Sequence, residues 1–265
     1  MESNMTAQAP TLCIGILTMN EERRIRQCIQ SAKFADQIVV VDSGSKDATI
    51  AIAQSLGAQV HTHADWQGFA EQRNRLLQYC KADYIFFLDA DEVITPELQF
   101  EIQAAVKSDR QHVWETYWLE VAFGRPLHRV LSRKSLPRLF RRDLLLNFDG
   151  VVHEHANLSQ PNTPRQQFKS PLLHYSRETI HDSLKKLTQY AMLGAAKRAK
   201  KNRRGGVIRG LLSSFWMFMR LYFFKLAILE GGPGFLYSLF ISLEFFFRQA
   251  ALKYDREWLT DKVQR

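Results

Sequence analysis

Apolar and polar positions alternate along the first half of the chain in blocks of two kinds, short apolar runs and longer amphipathic stretches. Residues 11–18 form an apolar run of strand length, and Asn20 behind it has the chemistry to cap a helix beginning at Glu21. Gln37–Asp42 is short, β-branched and apolar on both faces, as a strand buried in a parallel sheet should be. Ser45 then suits a helix cap, and Asp47 suits the positive first turn of a helix that runs to about Leu56 and stops at Gly57. The pattern goes on to predict a strand over 58–62, a helix over 68–80 and a strand over 83–88. Strand and helix alternating through short loops imply a parallel sheet covered on both faces, with ligands at the carboxyl ends of its strands. Three polar strand tips fall at such ends: Asn20-Glu21, Asp42-Ser43 and Asp89-Ala90-Asp91.

The last third changes character. Residues 183–210 contain nine basic residues and no acidic one, and residues 211–247 hold nine of the eighteen phenylalanines. An apolar run over 211–229 is interrupted by Arg220 and Lys225. Gly231-Gly232-Pro233-Gly234 is expected to break it, and 235–247, with Glu244 inside, is short for an unaided membrane span. This predicts two amphipathic helices joined by a tight turn, lying on an anionic membrane surface behind a basic helix or forming a homodimer. The plainer alternative is a solvated basic face followed by core helices.

Composition narrows the field. At 265 residues, 46% hydrophobic and 24% charged, the chain can bury a large core and is not a disordered segment. Three cysteines indicate no disulfide framework and favour a reducing cytosol, and residues 1–10 are polar, without the pattern of a signal peptide and expected to be flexible. The net charge of +9 permits binding to nucleic acid, but no nucleic-acid motif accompanies the basic block, so a noncatalytic basic binding protein ranks low. No G-x-G-x-x-G follows the first strand and no G-x-x-x-x-G-K-[ST] occurs, which excludes dinucleotide oxidoreductases and P-loop NTPases.

Asp89 and Asp91 are one residue apart and would point the same way on an extended strand. Two converging carboxylates repel unless a cation sits between them, and Mg²⁺ or Mn²⁺ prefers such oxygen ligands together with substrate phosphates. In order along the chain, Thr18-Met19-Asn20-Glu21, Val41-Asp42-Ser43-Gly44-Ser45-Lys46-Asp47-Ala48-Thr49 and Asp89-Ala90-Asp91-Glu92 resemble family 2 glycosyltransferases of the GT-A fold. Within that family the chain resembles the bacterial lipopolysaccharide core β-1,4-glucosyltransferases. The resemblance implies an α/β fold with a mixed, mainly parallel sheet, helices on both faces, and a C-terminal helical appendage that associates with membrane or dimerises. It implies a GT-A catalytic domain over 11–180, with a nucleotide-sugar half (11–92) and an acceptor half (93–180), followed by the helical region 181–265.

By the same resemblance Asp42 would recognise uracil, with Thr18, Asn20, Glu21 and Ser43 lining the nucleotide pocket. Asp89 would contact the ribose or the metal sphere, and Asp91 would ligate the metal on the diphosphate. Helix capping accounts equally for Asp42 and Glu21. Arg73 and Asn74 fall where the family often carries an Asn close to the donor, although a basic surface helix explains them as well.

Inverting sugar transfer also needs a base for the acceptor hydroxyl. Asp149-Gly150-Val151-Val152-His153-Glu154-His155 is the best source, and it resembles a later motif of the core transferases. We take Glu154 as the base and His153 as a metal or diphosphate contact, with the reverse assignment open. The spacing is not H-E-x-x-H, so a zinc protease is excluded. Arg138, Arg141 and Arg142 have the planar forks that suit phosphate on the donor or on a phosphorylated acceptor. Trp114, Tyr117, Trp118 and Phe123 read as core rather than a sugar-binding wall, and His61 and His63 as sheet-capping residues rather than a metal pair. No Gln-x-x-Arg-Trp occurs, which favours single addition over polymerisation.

The function expected is inverting, nonprocessive transfer of a hexose, glucose by preference, from a UDP-sugar to the lipopolysaccharide inner core. It would use Mg²⁺ or Mn²⁺ and act at the cytoplasmic face of the inner membrane. A polyprenyl-phosphate glycosyltransferase is the runner-up.

Overall fold

Side-chain parity along the first strand decides which helices cover which face of the sheet. In β1 (Leu12–Thr18), Ile14 and Ile16 pack with Ile25, Cys28 and Ile29 of α1 (Ile25–Ser31), while Cys13 and Leu17 face the opposite way. The same alternation runs through β2 (Gln37–Asp42), where Val40 joins the first layer with Ala53 of α2 (Thr49–Ser55), and Val39 and Val41 join the second. After β3 (Gln59–Thr62), the second layer is closed by Leu76 and Leu77 of α3 (Phe69–Tyr79). Tyr84, Phe86 and Leu88 of β4 (Tyr84–Asp89) return to the first layer, and Ile85 and Phe87 to the second. At Gly15 a Cβ would lie 2.2 Å from a Leu76 methyl, so Leu76 fills the space that a β1 side chain would take there. α3 therefore packs directly on the backbone of β1.

This computed structural model describes residues 9–130, 132–150 and 155–260. Residues 1–8 of the N-terminus expected to be flexible, together with His153 and Glu154, lie outside the described residues. The chain divides into two compact units, one of residues up to Trp118 with Arg133–His174, the other of Leu119–Ser132 with Tyr175–Arg265.

Beyond β4 the chain adds β5 (Glu92–Ile94), α4 (Pro96–Lys107), β6 (Val113–Ala122), β7 (Arg125–Pro126), β8 (Ser132–Arg141), β9 (Leu145–Asp149), β10 (His155–Leu158), β11 (Arg165–Gln167) and β12 (Leu172–Arg177). Thr95 caps α4 by accepting from the Leu98 N–H at 3.1 Å, with Pro96 opening the helix. The main sheet runs β3-β2-β1-β4-β8-β6-β12-β5, and β9 and β10 form a separate hairpin. The first four strands are parallel, β8 lies antiparallel to β4, and β5 antiparallel to β12. All three cysteines are free and buried.

Two expected helix starts are corrected. α1 begins at Ile25, and Asn20 caps nothing: it is left-handed (φ 54°), and its side-chain oxygen accepts from the Lys46 N–H at 2.8 Å. Likewise α2 begins at Thr49, Ser45 gives its hydroxyl to Asp42, and Asp47 accepts from the Thr49 N–H at 3.0 Å.

The second unit contains α5 (Ile180–Ala199), α6 (Val207–Met219), a π-helical turn (Arg220–Phe224), a 3₁₀ turn (Ala227–Glu230) and α7 (Gly231–Tyr254). The run does break ahead of α7, where Leu226 and Gly231 have positive φ (58° and 65°), but Gly231 to Gly234 open the 24-residue helix instead of lying between the two helices. Proline is tolerated in a first turn, where its missing N–H would have no partner in any case. Within this unit a buried ion pair joins Arg177 to Glu244, and the Arg129 N–H donates to Glu230 Oε1 at 2.8 Å. Val207–Phe224 and Ala227–Tyr254 are long and apolar enough to cross a membrane by length and composition.

Candidate functional site

The carboxyl ends of β1 and β2 are tied together by their own loops. Asp42 is fully buried, and its Oδ1 accepts from the N–H groups of Gly44 at 2.9 Å and Ser45 at 2.7 Å. Gly44, at φ +95°, makes that turn possible without strain. The Asn20 N–H donates to Ser45 Oγ at 2.8 Å, the Glu21 N–H to Thr49 Oγ1 at 2.8 Å, and the Ser43 N–H to the Thr18 carbonyl at 3.0 Å. Thr18, Asn20, Glu21, Asp42 and Ser43 are thus brought together, with Asp42 serving as the turn's internal acceptor. Gln72 of α3 donates to Ser43 Oγ at 3.2 Å. Thr18 Oγ1 and Gln72 Oε1 are buried without a hydrogen-bond partner, which leaves two polar atoms at this strand edge for a ligand to satisfy.

At the end of β4 the two aspartates separate. The strand stops at Asp89 and Ala90-Asp91 forms a turn, so the parity argument that aimed them together does not apply. Asp89 has both carboxylate oxygens on guanidinium groups, Oδ2 at 2.9 Å from Arg138 and Oδ1 at 3.5 Å from Arg73. Burial works against its ionisation, but Arg138 and Arg73 outweigh that and hold its pKa below the usual range. Glu92 is fully buried between Arg138, the Trp118 indole N–H at 2.5 Å and the Asp89 N–H at 2.9 Å. Burial pushes its pKa up to about 7, against the pull of Arg138. Asp91 instead faces His174, with Nε2 at 3.4 Å from Oδ2, and the His174 ring stacks on Trp118 at 4.5 Å between centroids. The register explains this meeting, since His174 on β12 lies opposite Glu92 on β5.

The three candidate phosphate arginines part company. Arg138 is 4% exposed and is the internal counter-ion of Asp89 and Glu92. Arg141 lies opposite Tyr84, at the amino end of β4, and pairs with Asp109 and Asp143. Three residues of strand separate it from Arg138, about 10 Å. Arg142, next to it, donates to the carbonyls of Leu145 and Leu77. These two are corrected from phosphate contacts to braces at the far end of the strand.

Arg73 reaches the site from α3, held over the rings of Phe87 at 5.2 Å and Phe148 at 5.6 Å. Asn74, its neighbour, turns to β9, donating to the Phe148 carbonyl at 3.0 Å and accepting the Phe148 N–H at 2.7 Å. Asn74→Ala removes both bonds and is expected to destabilise by about 1–3 kcal/mol in chemical denaturation. An unchanged midpoint would rule out the clamp. His61 stacks on Tyr79 at 3.5 Å and His63 bonds its hydroxyl at 2.9 Å, while Trp114 stacks on Phe168, all as packing residues.

Among the described residues no cluster of three or more His, Cys, Asp and Glu could hold a metal ion. Asp91 and His174 supply one carboxylate and one imidazole at a strand end, a donor set that fits a divalent cation whose other ligands are phosphate oxygens and water. Sequence reading passed over His174 and Gln72, placed Glu92 only as the last residue of the acidic motif, and took Trp118 for core. His174 is detectable only as a polar residue inside an apolar strand, and nothing in its spacing points to Asp91.

The chain matches the Glycosyl transferase family 2 model over residues 13–156. It is 29% identical over 253 residues to an uncharacterized glycosyltransferase of Rickettsia bellii, covering 90% of this chain and 84% of that protein. It is 30% identical over 223 residues to the lipopolysaccharide core biosynthesis glycosyltransferase LpsC of Rhizobium meliloti, covering 78% and 79%. Among solved structures, S. aureus TarS 1-349 aligns at 17% identity and a TM-score of 0.47, over 68% of this chain and 64% of that one.

Proposed function

Given that this chain belongs to glycosyl transferase family 2, we propose that it is a metal-dependent, inverting, nonprocessive hexosyltransferase. In this reading it moves a hexose, glucose by preference, from a UDP-sugar to the inner core of lipopolysaccharide. The observation that carries the chemistry is the sorting of the acidic tip: Asp89 and Glu92 are neutralised internally by Arg138, while Asp91 is left facing His174. Asp91 and His174 would hold a divalent cation, Mg²⁺ or Mn²⁺, which supplies Lewis-acid stabilisation of the departing diphosphate. Arg73 and Arg138 fix Asp89 and keep the strand end in one conformation. Thr18, Asn20, Glu21, Asp42 and Ser43 would shape the nucleotide pocket, and the segment carrying His153 and Glu154 would take the acceptor proton, with Glu154 as base. His153 is retained as a second metal or diphosphate contact. The similarity to LpsC supports the acceptor class.

We further read the second unit as the membrane-facing part of a peripheral protein on the cytoplasmic face of the inner membrane. Its exposed apolar helices and acid-free basic segment support this, with a homodimer through the same helices as the competing arrangement. Labelled UDP-glucose offered with truncated lipopolysaccharide or with polyprenyl phosphate is the direct test, with and without a chelator. Label entering the lipopolysaccharide core in a chelator-sensitive way is the expected result. Label entering only polyprenyl phosphate would replace the acceptor, and transfer indifferent to chelation would remove the metal.

A further inference from the structure

Four arginines line one open cleft of about 870 Å³ in the second unit. Arg198 comes from the last turn of α5, Arg203 and Arg204 from the connection to α6, and Arg209 from the first turn of α6; Asn202 adds a neutral donor, while the Ser213 hydroxyl donates to the Gly210 carbonyl at 3.1 Å. The connection is held through its carbonyls by two guanidinium groups: Arg209 donates to the Arg204 carbonyl at 2.8 Å and Arg256 to the Arg203 carbonyl at 3.0 Å. Among the described residues none of the four arginines forms an ion pair, and residues 183–210 contain no acid to supply one. Like charges gathered this way repel unless an anion joins them.

The cleft adjoins an apolar stripe. Leu212 lines the cleft and is 66% exposed, and with Ile208, Leu211, Phe215 and Trp216, all more than half exposed, it forms a one-sided row at helical spacing along α6. A soluble phosphate would use the arginines and leave that row in water. A molecule with an anionic head and apolar tails uses both, and Trp216 sits among them as tryptophan does at membrane interfaces.

We infer that this cleft is a headgroup site for an anionic phospholipid, the arginine forks taking the phosphodiester and the α6 stripe entering the acyl boundary. The inference rests on the peripheral-membrane reading above and deepens it by naming the lipid group and its residues. Its test is flotation of the full-length protein with vesicles of phosphatidylcholine alone or with one-quarter phosphatidylglycerol. Binding is expected only with phosphatidylglycerol. Arg204→Gln with Arg209→Gln should weaken it about 100-fold, against about tenfold for Lys200→Gln with Lys201→Gln, which removes equal charge from beside the cleft. Should the double arginine variant melt early, Arg203→Gln on an exposed side chain is compared with Lys201→Gln alone, about tenfold against about threefold.

Equal losses from the arginine and lysine pairs would sink the cleft and leave membrane docking intact. No binding by the wild type would sink docking itself. Release by inorganic phosphate beyond that by chloride of equal ionic strength would assign the cleft to free phosphate instead.

Discussion

Asp91→Asn is expected to lower sugar transfer by about three orders of magnitude or more while leaving the thermal midpoint within a few degrees of wild type. The two halves of that expectation have separate physical grounds. Asp91 sits in a turn rather than in the sheet, its side chain is 21% exposed, and the ion contact found for it is to His174 at 3.4 Å. Partly exposed pairs of this kind contribute about 1 kcal/mol or less to stability. Its charge, by contrast, is the outward-facing part of the acidic tip in our reading, and the amide keeps the shape while discarding that charge. Labelled-sugar transfer alongside a thermal melt reads both quantities from one preparation. Near-normal transfer by a folded Asp91→Asn protein would end the proposal.

Arg138→Met should have the opposite profile, a large loss of stability. Removing the guanidinium leaves Glu92, fully buried, without its cation and Asp89 with Arg73 alone at 3.5 Å. Breaking a buried ion pair from one side typically costs about 3–5 kcal/mol, because the surviving charge is stranded. Adding Glu92→Gln should therefore recover part of the loss, since it takes away one of the stranded charges and keeps an oxygen for the Trp118 indole. Urea denaturation of the two variants measures this directly. A double variant no more stable than Arg138→Met would mean that the loss came from packing and not from charge.

The first half of the fold was legible because its information is local. β-branched runs and the residues that end them fix Gln37–Asp42 without reference to anything distant. Helix starts were misread where a side chain had a better partner across a loop: Asn20 and Ser45 both look like caps, yet each bonds the neighbouring strand's loop. Gly231 to Gly234 looked like a break because glycine and proline terminate helices more visibly than they begin them. The site was legible in its acidic tip and hidden in its counter-charges. Arg138 and His174 arrive from strands that pair antiparallel to β4 and β5, and only register tells Arg138 from Arg141.

The clamp between Asn74 and Phe148 has a mechanical corollary. Phe148 is followed by Asp149, which pairs with His155 across the mouth of the segment that carries His153 and Glu154. The helix bearing Arg73 and the two strands that flank the proposed acid-base segment therefore share one mount. If residues 151–154 meet the acceptor, as we propose, changes confined to them would alter which alcohol is taken while the Asn74 bonds keep α3 and Arg73 in place, a division of labour that would let one scaffold diversify.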